Sequence, residues 1–157
     1  MLQLRQVTSA SDIATVRSLL LDYQRGLGVD LSFQDFQTEV RTLPGEYAPP
    51  GGSLLLALHD ERPVGCVALR GAGGGRCEMK RLYVGAGTRG LGVGRALVQA
   101  VLDQARAIGY SQIVLDTLPS MADAQRLYEQ FGFCDIPPYR MNPIAGTRYL
   151  GRSLAAE

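Results

Sequence analysis

Net charge, histidine and pairable cysteine are what this chain has least of. Sixteen Lys and Arg set against fifteen Asp and Glu leave +1 at pH 7. Bulk charge therefore gives no reason to expect nucleic acid or an anionic membrane as a partner. No apolar run approaches the roughly 20 residues that span a bilayer. The start, Met1-Leu2-Gln3-Leu4-Arg5, has neither the charged opening nor the apolar middle of a signal peptide, and a cytoplasmic location is the expectation. Cys66, Cys77 and Cys134 are odd in number and lack CxxC spacing, which argues against a disulfide framework or a zinc site. Each is expected to act as a small buried apolar side chain. His59 is the only histidine and falls in His59-Asp60-Glu61-Arg62, which reads as a turn between strands. A Cys–His nucleophile and a histidine metal centre are disfavoured, and no metal is expected.

The 157 residues are 46% hydrophobic and 20% charged, an ordinary globular composition that suits one domain over 1–157 with a proper core. Leu2 to Val7 suits a first strand. Ser11-Asp12 can cap a helix with Ile13, Val16, Leu20 and Tyr23 on one face, ended by Gly26 and Gly28. Ser32 opens a second helical pattern through Phe33, Phe36, Val40 and Leu43. Pro44 to Gly52 is a loop. Ser53 to Leu58 and Val64 to Leu69 form a hairpin, Gly71 to Gly75 a flexible loop, and Arg76 to Val84 a further strand. Arg95 to Ile108 has the clearest helical face, with Leu97, Val98, Val101, Leu102, Ala105 and Ile108, and Gly109 stops it. Ile113-Val114-Leu115 is a short buried strand ending at Asp116. Met121 to Phe131 is a helix turning Ala124, Leu127, Tyr128 and Phe131 inward. Gly132-Phe133 leads into a strand, and Arg148 to Leu154 is the last. The order is α/β with a mixed sheet, whose parallel pair comes from the unit Arg76 to Asp116.

The most informative stretch is Arg89-Gly90-Leu91-Gly92-Val93-Gly94, followed by Arg95. Glycines between a strand and a helix let backbone N–H groups approach a ligand, since no Cβ intervenes. The helix start adds unpaired donors and the positive end of its dipole. Together they make a phosphate cradle. A competing pattern overlaps it: Gly85-Ala86-Gly87-Thr88-Arg89-Gly90 is literally GxGxxG after a strand, with Asp116 ending the next one. That reading starts the helix near Gly90 and puts Gly92 and Gly94 in its first turns, at about 1 kcal/mol each relative to Ala. It also leaves too little chain after Asp116 for a doubly wound domain. No GxxxxGK[ST] occurs.

The element order and positions 89 to 94 resemble the GNAT superfamily of acyl-CoA-dependent N-acyltransferases, whose loop pattern is Gln/Arg-x-x-Gly-x-Gly/Ala. Three flanking features strengthen the resemblance. Glu78-Met79-Lys80-Arg81-Leu82-Tyr83-Val84 looks like the family's fourth strand. Ala124-Gln125-Arg126-Leu127-Tyr128 followed by Gly132-Phe133 looks like its Ala-x-x-Leu-Tyr…Gly-Phe segment. The two-helix insert after the first strand also fits. One position departs: the family often has Asn three residues before that alanine, and Met121 stands here.

The resemblance implies a mixed, mostly antiparallel central sheet flanked by helices on both faces, and acetyl transfer from acetyl-CoA to a primary amine of a small molecule or peptide by direct attack. It implies that Leu91 to Arg95 hold the pyrophosphate, with Arg89, Gly90 and Ala124 beside it. It implies that the backbone of Leu82, Tyr83 and Val84 pairs with the pantetheine arm and polarises the thioester carbonyl. It places Glu78 where some members carry the general base, acting directly or through water, and Tyr128 where others carry the acid that protonates the departing thiolate. Within the strand Glu78 shares parity with Leu82 and Val84, unless a bulge, common here in the family, breaks it. The acceptor site falls to Tyr23, Phe33, Phe36, Tyr139, Arg140 and Asn142, and Arg81 and Arg140 are candidates for a carboxylate-bearing acceptor, since a guanidinium forks well onto a carboxylate. A different acyl chain, a non-catalytic acyl-CoA-binding sensor module and a homodimer through the last strands all stay open.

Overall fold

The computed structural model describes residues 1–28, 35–88 and 90–155. Its elements run β1 (Leu2–Gln6), α1 (Ala10–Leu27), α2 (Phe36–Arg41), β2 (Ser53–His59), β3 (Arg62–Gly73), β4 (Arg76–Val84), α3 (Val93–Ile108), β5 (Gln112–Thr117), α4 (Ala122–Gln130), β6 (Cys134–Asp135) and β7 (Arg148–Ser153). The strands form one sheet in the order β1-β2-β3-β4-β5-β7-β6. Every neighbouring pair is antiparallel except β4 and β5. The mixed, mostly antiparallel sheet with helices on both faces is the architecture the resemblance implied.

Two apolar clusters cover the two faces of this sheet. Leu55, Ala57, Val67 and Leu69 join Leu97, Val98, Val101 and Leu102 of α3 and Tyr128 of α4 on one face. Leu54, Leu56, Cys66 and Ala68 join Val16 and Leu20 of α1 and Phe36 and Val40 of α2 on the other. A strand buried on both sides reads as a continuous apolar run rather than an alternation, which is why Leu54-Leu55-Leu56-Ala57-Leu58 has no polar member. Gly65 is required where β3 meets β4 and α3, because an added Cβ would lie 2.5 Å from the Tyr83 carbonyl oxygen.

The ladder between β3 and β4 slips once at the centre. Ala68 pairs with Lys80, yet Cys66 pairs with Tyr83, so two residues of β4, Arg81 and Leu82, oppose Val67 alone. Arg81 takes φ 61°, the left-handed region that a bulky residue enters only at a cost. The parity of β4 flips across this bulge: Cys77 and Met79, and then Leu82 and Val84, face the α3 cluster, while Tyr83 packs against the α1–α2 cluster. Glu78 therefore does not share a face with Leu82 and Val84. The Arg81 guanidinium is held by Glu39 of α2 in two bonds, Nε to Oε2 at 2.8 Å and Nη2 to Oε1 at 2.9 Å. It also stacks 4.9 Å above the Phe36 ring.

Local details differ from the sequence pattern. Ser9, not Ser11-Asp12, caps α1, its Oγ accepting from the Asp12 N–H at 3.1 Å. Asp12 is instead buried and takes a hydrogen bond from Arg5 at 2.9 Å. β3 runs on to Gly73, so Gly71 to Gly73 belong to a strand, not a loop. Cys66 and Cys77 are buried as expected, but Cys134 is exposed on the two-residue edge strand β6. Ser32 and Phe33 lie outside the described residues. No helix among the described residues is long and apolar enough to cross a membrane.

Burial pushes the Glu39 carboxyl up, but the hydrogen bonds and charge of Arg81 outweigh it and hold the group below its ordinary value. A carboxyl lowered on folding contributes full stability above its unfolded value and loses it as pH falls through the folded one. Glu39→Gln leaves a guanidinium that is 3% exposed without its counter-charge, and is expected to cost about 3–5 kcal/mol at pH 7. Urea unfolding at pH 7 and pH 3 checks both points, since the variant should lose less stability on acidification than the parent.

Candidate functional site

The parallel pair that joins the two halves of the sheet is short. Arg76, Cys77 and Glu78 pair with Gln112, Ile113 and Val114, and no pairing of β4 with β5 follows. β5 instead stays with β7 to its end at Thr117. From Met79 to Val84, β4 therefore has β3 on one side and no strand on the other. The gap is lined by Tyr23, Lys80, Arg81, Leu82, Asp116 and Tyr128, among others.

The glycine loop lies beside this parting. Gly90 and Gly92 have φ 86° and 73°, values that glycine alone takes at little cost. Gly92 is the N-cap of α3 and has no side chain to cap the helix. The first-turn N–H groups of α3 accordingly have no intrahelical acceptor and no capping side chain. The helix begins at Val93, not near Gly90, which removes the basis of the dinucleotide pattern over 85–90. A recess of about 320 Å³ at this helix start is walled by Thr88, Gly90, Gly92, Val93, Gly94, Arg95, Arg126 and Gln130, among others. A second, of about 380 Å³, adjoins it and is walled by Leu82, Val84, Gly94, Ser120, Met121, Asp123, Ala124 and Leu127. The two share Val84, Gly94, Asp123 and Leu127. At Gly94 a Cβ would sit 3.2 Å from Leu127 and 3.5 Å from Val84, so a bare backbone keeps the junction open. Arg95 donates to Gln130 and lies 5.4 Å from the Phe131 ring centre. Arg89 lies outside the described residues.

Tyr128 reaches the parting from α4. Its ring leans on Phe133 with centroids 5.8 Å apart. Burial pushes its hydroxyl well above the ordinary tyrosine value, with Tyr23 and Asp116 adding to the rise, so the proton is retained at neutral pH. Lys80 stands on the opposite wall. Burial, then the charge of Arg81, lowers its ammonium to about 8.

Glu78 is 1% exposed. Its carboxylate takes hydrogen bonds from Tyr139 at 2.7 Å, from Arg140 Nη2 at 2.5 Å to both oxygens, and from Arg70 Nε at 3.0 Å. Burial pushes it up, but Lys80, the Tyr139 hydroxyl, Arg140 and Arg70 together hold it below its ordinary value. Asn142, further along the same loop as Tyr139 and Arg140, donates to Asp116 at 3.4 Å. The segment between β6 and β7 is thus tied to both strands that part.

Of the residues expected at an acceptor site, Tyr23 lines the gap, and Tyr139, Arg140 and Asn142 lie above it. Phe36 is fully buried under Arg81 and belongs to the core, and Phe33 lies outside the described residues. Arg81 is committed to Glu39 and does not present its guanidinium to a ligand. The pattern missed Lys80, Asp116, Arg70 and Arg126. Arg126 sits inside the matched Ala-x-x-Leu-Tyr segment, and its one-turn spacing from Gln130 was the available signal. Arg70 carried none, because only the β3–β4 register sets it opposite Glu78. Among the described residues, no group of three or more His, Cys, Asp or Glu is placed to hold a metal ion.

A mixed sheet parted between parallel strands, with a glycine-capped helix aimed at the parting, defines an acyltransferase-type scaffold. The chain belongs to the acetyltransferase (GNAT) family, whose sequence model matches residues 14–133. It is 40% identical over 141 residues to an N-acetyltransferase of Schizosaccharomyces pombe, covering 88% of this chain and 86% of that one. It is 37% identical over 102 residues to an IAA acetyltransferase of Azospirillum brasilense, covering 62% and 67%. Among solved structures, a GNAT-family acetyltransferase from Staphylococcus aureus superposes with TM-score 0.83 at 22% identity over 99% of this chain and all of that one. The ribosomal-protein-S18-alanine N-acetyltransferase of Escherichia coli does so with TM-score 0.74 at 15% identity over 100% and 96%.

None of the three cysteines lines the gap. Burial pushes the Cys66 and Cys77 thiols up to about 12, so both stay protonated and unreactive. Titration with a thiol-reactive chromophore should register one thiol in the native protein, Cys134, and three only after unfolding.

Proposed function

We propose that the protein transfers the acetyl group of acetyl-CoA to a primary amine by direct attack. The observation that carries this reading is the parting of β4 from β5 beside the glycine-capped start of α3. An extended arm ending in a pyrophosphate finds there an unpaired strand edge and a ring of main-chain donors. The N–H groups of Gly92 to Arg95 hold the pyrophosphate, with Arg95 and Arg126 at the rim and Arg89 expected beside them. The backbone of Leu82, Tyr83 and Val84 takes the pantetheine arm as an added strand, and one of its N–H groups polarises the thioester carbonyl. Ala124 leaves room at the start of α4, where Met121 offers no side-chain cap.

Acetyl-CoA supplies an activated acetyl thioester; the chain supplies position and proton transfer. Tyr128, with its proton retained and its ring fixed by Phe133, donates to the departing thiolate. Two carboxylates stand near the acceptor amine. Glu78 is saturated by two guanidiniums and a phenol, which suits a fixed anion that sets Arg140 and Tyr139 in place. Asp116 lines the gap itself and takes the proton that the attacking ammonium gives up. The acceptor is a small molecule or peptide amine. Among the relatives, N-acetylaspartate synthetase of Rattus norvegicus is 37% identical over 86 residues, covering 54% of this chain and 29% of that one, and its name points to an amino acid.

Calorimetric titration with acetyl-CoA beside NAD⁺ tests the cofactor, and thiol release with a panel of amines tests the transfer. Binding of acetyl-CoA alone, with thiol release, is expected. Binding without release from any amine would favour a sensor. Tyr128→Phe should lower kcat by about 10²-fold or more with acetyl-CoA affinity little changed, and a near-parental rate would remove Tyr128 from the chemistry.

A further inference from the structure

A recess of about 310 Å³ opens at the other end of β4 from the glycine loop. Its walls are Glu46, Arg70, Gly71, Ala72, Arg76, Glu78, Tyr139 and Arg140. Glu78 and Lys80 are two residues apart on one face of β4, about 7 Å along the strand. The recess therefore adjoins the gap where the amine would react, on the side away from the helix start.

Three guanidiniums meet two carboxylates here, and the carboxylates are unequal. Glu78 is buried and permanent, shared between Arg70 and Arg140. Glu46 is 71% exposed and touches Arg70 at 2.5 Å; an exposed pair of this kind is worth little and is readily exchanged. Arg76 is partly exposed, and its side chain has no hydrogen bond or ion pair among the described residues. Arg70, Arg76 and Arg140 outnumber Glu78 and Glu46 in this recess, so positive charge is in excess at this end. An incoming anion relieves that excess, and a guanidinium fork matches a carboxylate in shape. Among the described residues Tyr139 is the one aromatic wall, so the recess offers little to an apolar tail.

We infer that the acceptor is an amine that also carries a carboxylate, and that Arg76 receives this carboxylate, in the field of Arg140 and Arg70, while the amine faces the gap. The inference rests on the acetyl-transfer reading and narrows its acceptor to amino acids and their close analogues.

The test is a panel of matched acceptors assayed by thiol release: alanine, leucine and phenylalanine, their methyl esters, and ethylamine, 3-methylbutylamine and phenethylamine as the decarboxylated counterparts. For at least one set, kcat/KM for the free α-amino acid should exceed that for its ester by about tenfold or more, the equivalent of one charge-assisted hydrogen bond. Arg76→Gln should remove most of that preference by raising the acceptor KM, with kcat and acetyl-CoA affinity unchanged. Glu46→Gln, which removes one negative charge from the mouth of the recess, should lower the acceptor KM for the acid and leave that for the ester alone. Equal or better turnover of the esters, no turnover of any acid, or a preference untouched by Arg76→Gln would overturn the inference. Acetyl-CoA binding by calorimetry stands apart from all of these. Its presence with preference for uncharged amines sinks the carboxylate alone, and its absence sinks the transfer reading beneath it.

Discussion

The contact between Arg81 and Glu39 is the constraint on which the rest of the site depends. β4 can leave β5 only if its backbone is held off the straight path that a longer ladder would impose. The left-handed turn at Arg81 does this, and it is sustained because the same residue is clamped by a carboxylate and stacked on Phe36. A strained backbone persists only where its surroundings over-determine it, and here those surroundings come from α2. The helix that covers the far face of the sheet thereby controls the opening between two strands of that sheet. The flip in parity that follows sends Glu78 and Lys80 to one face and Leu82 and Val84 to the other. One side of the opening is polar and the other apolar for that reason.

Charge is arranged around this opening in two grades of permanence. Arg81 with Glu39, and Glu78 with Arg140 and Arg70, are largely withdrawn from water, where breaking one partner leaves a buried charge stranded. They act as structural fixtures. Asp116, Arg76, Arg126 and Glu46 are more open to solvent and more weakly held, and their attachments cost little to change. Electrostatic work on a ligand falls to groups of the second kind, because only they can exchange a partner without unfolding something. Lys80 lies between the two, buried yet with its ammonium lowered to about 8.

Much of the fold was legible in the chain. The order of strands and helices followed from periodicity, and the parallel pair followed from the strand–helix–strand unit around Arg95 to Ile108. The glycine loop announced itself, because Gly90 and Gly92 adopt φ values that composition alone can flag. Less legible were features set by partners distant in sequence. Ser9 rather than Ser11 caps α1, through the Asp12 N–H, while the Asp12 carboxylate pairs with Arg5. Cys134 reads as apolar filler but falls on a short edge strand. Arg81 looked like a free cation, and its commitment to Glu39 spans 42 residues.

The sequence by itself determined the family, the sheet's composition and the location of the glycine-capped helix start, because each is written in local spacing, propensity and glycine placement. Tertiary structure alone decided which carboxylate is locked and which is open. Glu78 and Asp116 are similar groups on adjacent strands, and, Lys80 apart, the groups that set Glu78 apart come from other elements of the fold. Register distinguishes them: the pairing of β3 with β4 sets Arg70 opposite Glu78, and the return of the β6–β7 segment lays Tyr139 and Arg140 on it. Among the described residues the Asp116 carboxylate takes one side-chain hydrogen bond, from Asn142 at 3.4 Å. The ionisation and freedom of a carboxylate are properties of its neighbours in space, and those neighbours are chosen when the sheet closes.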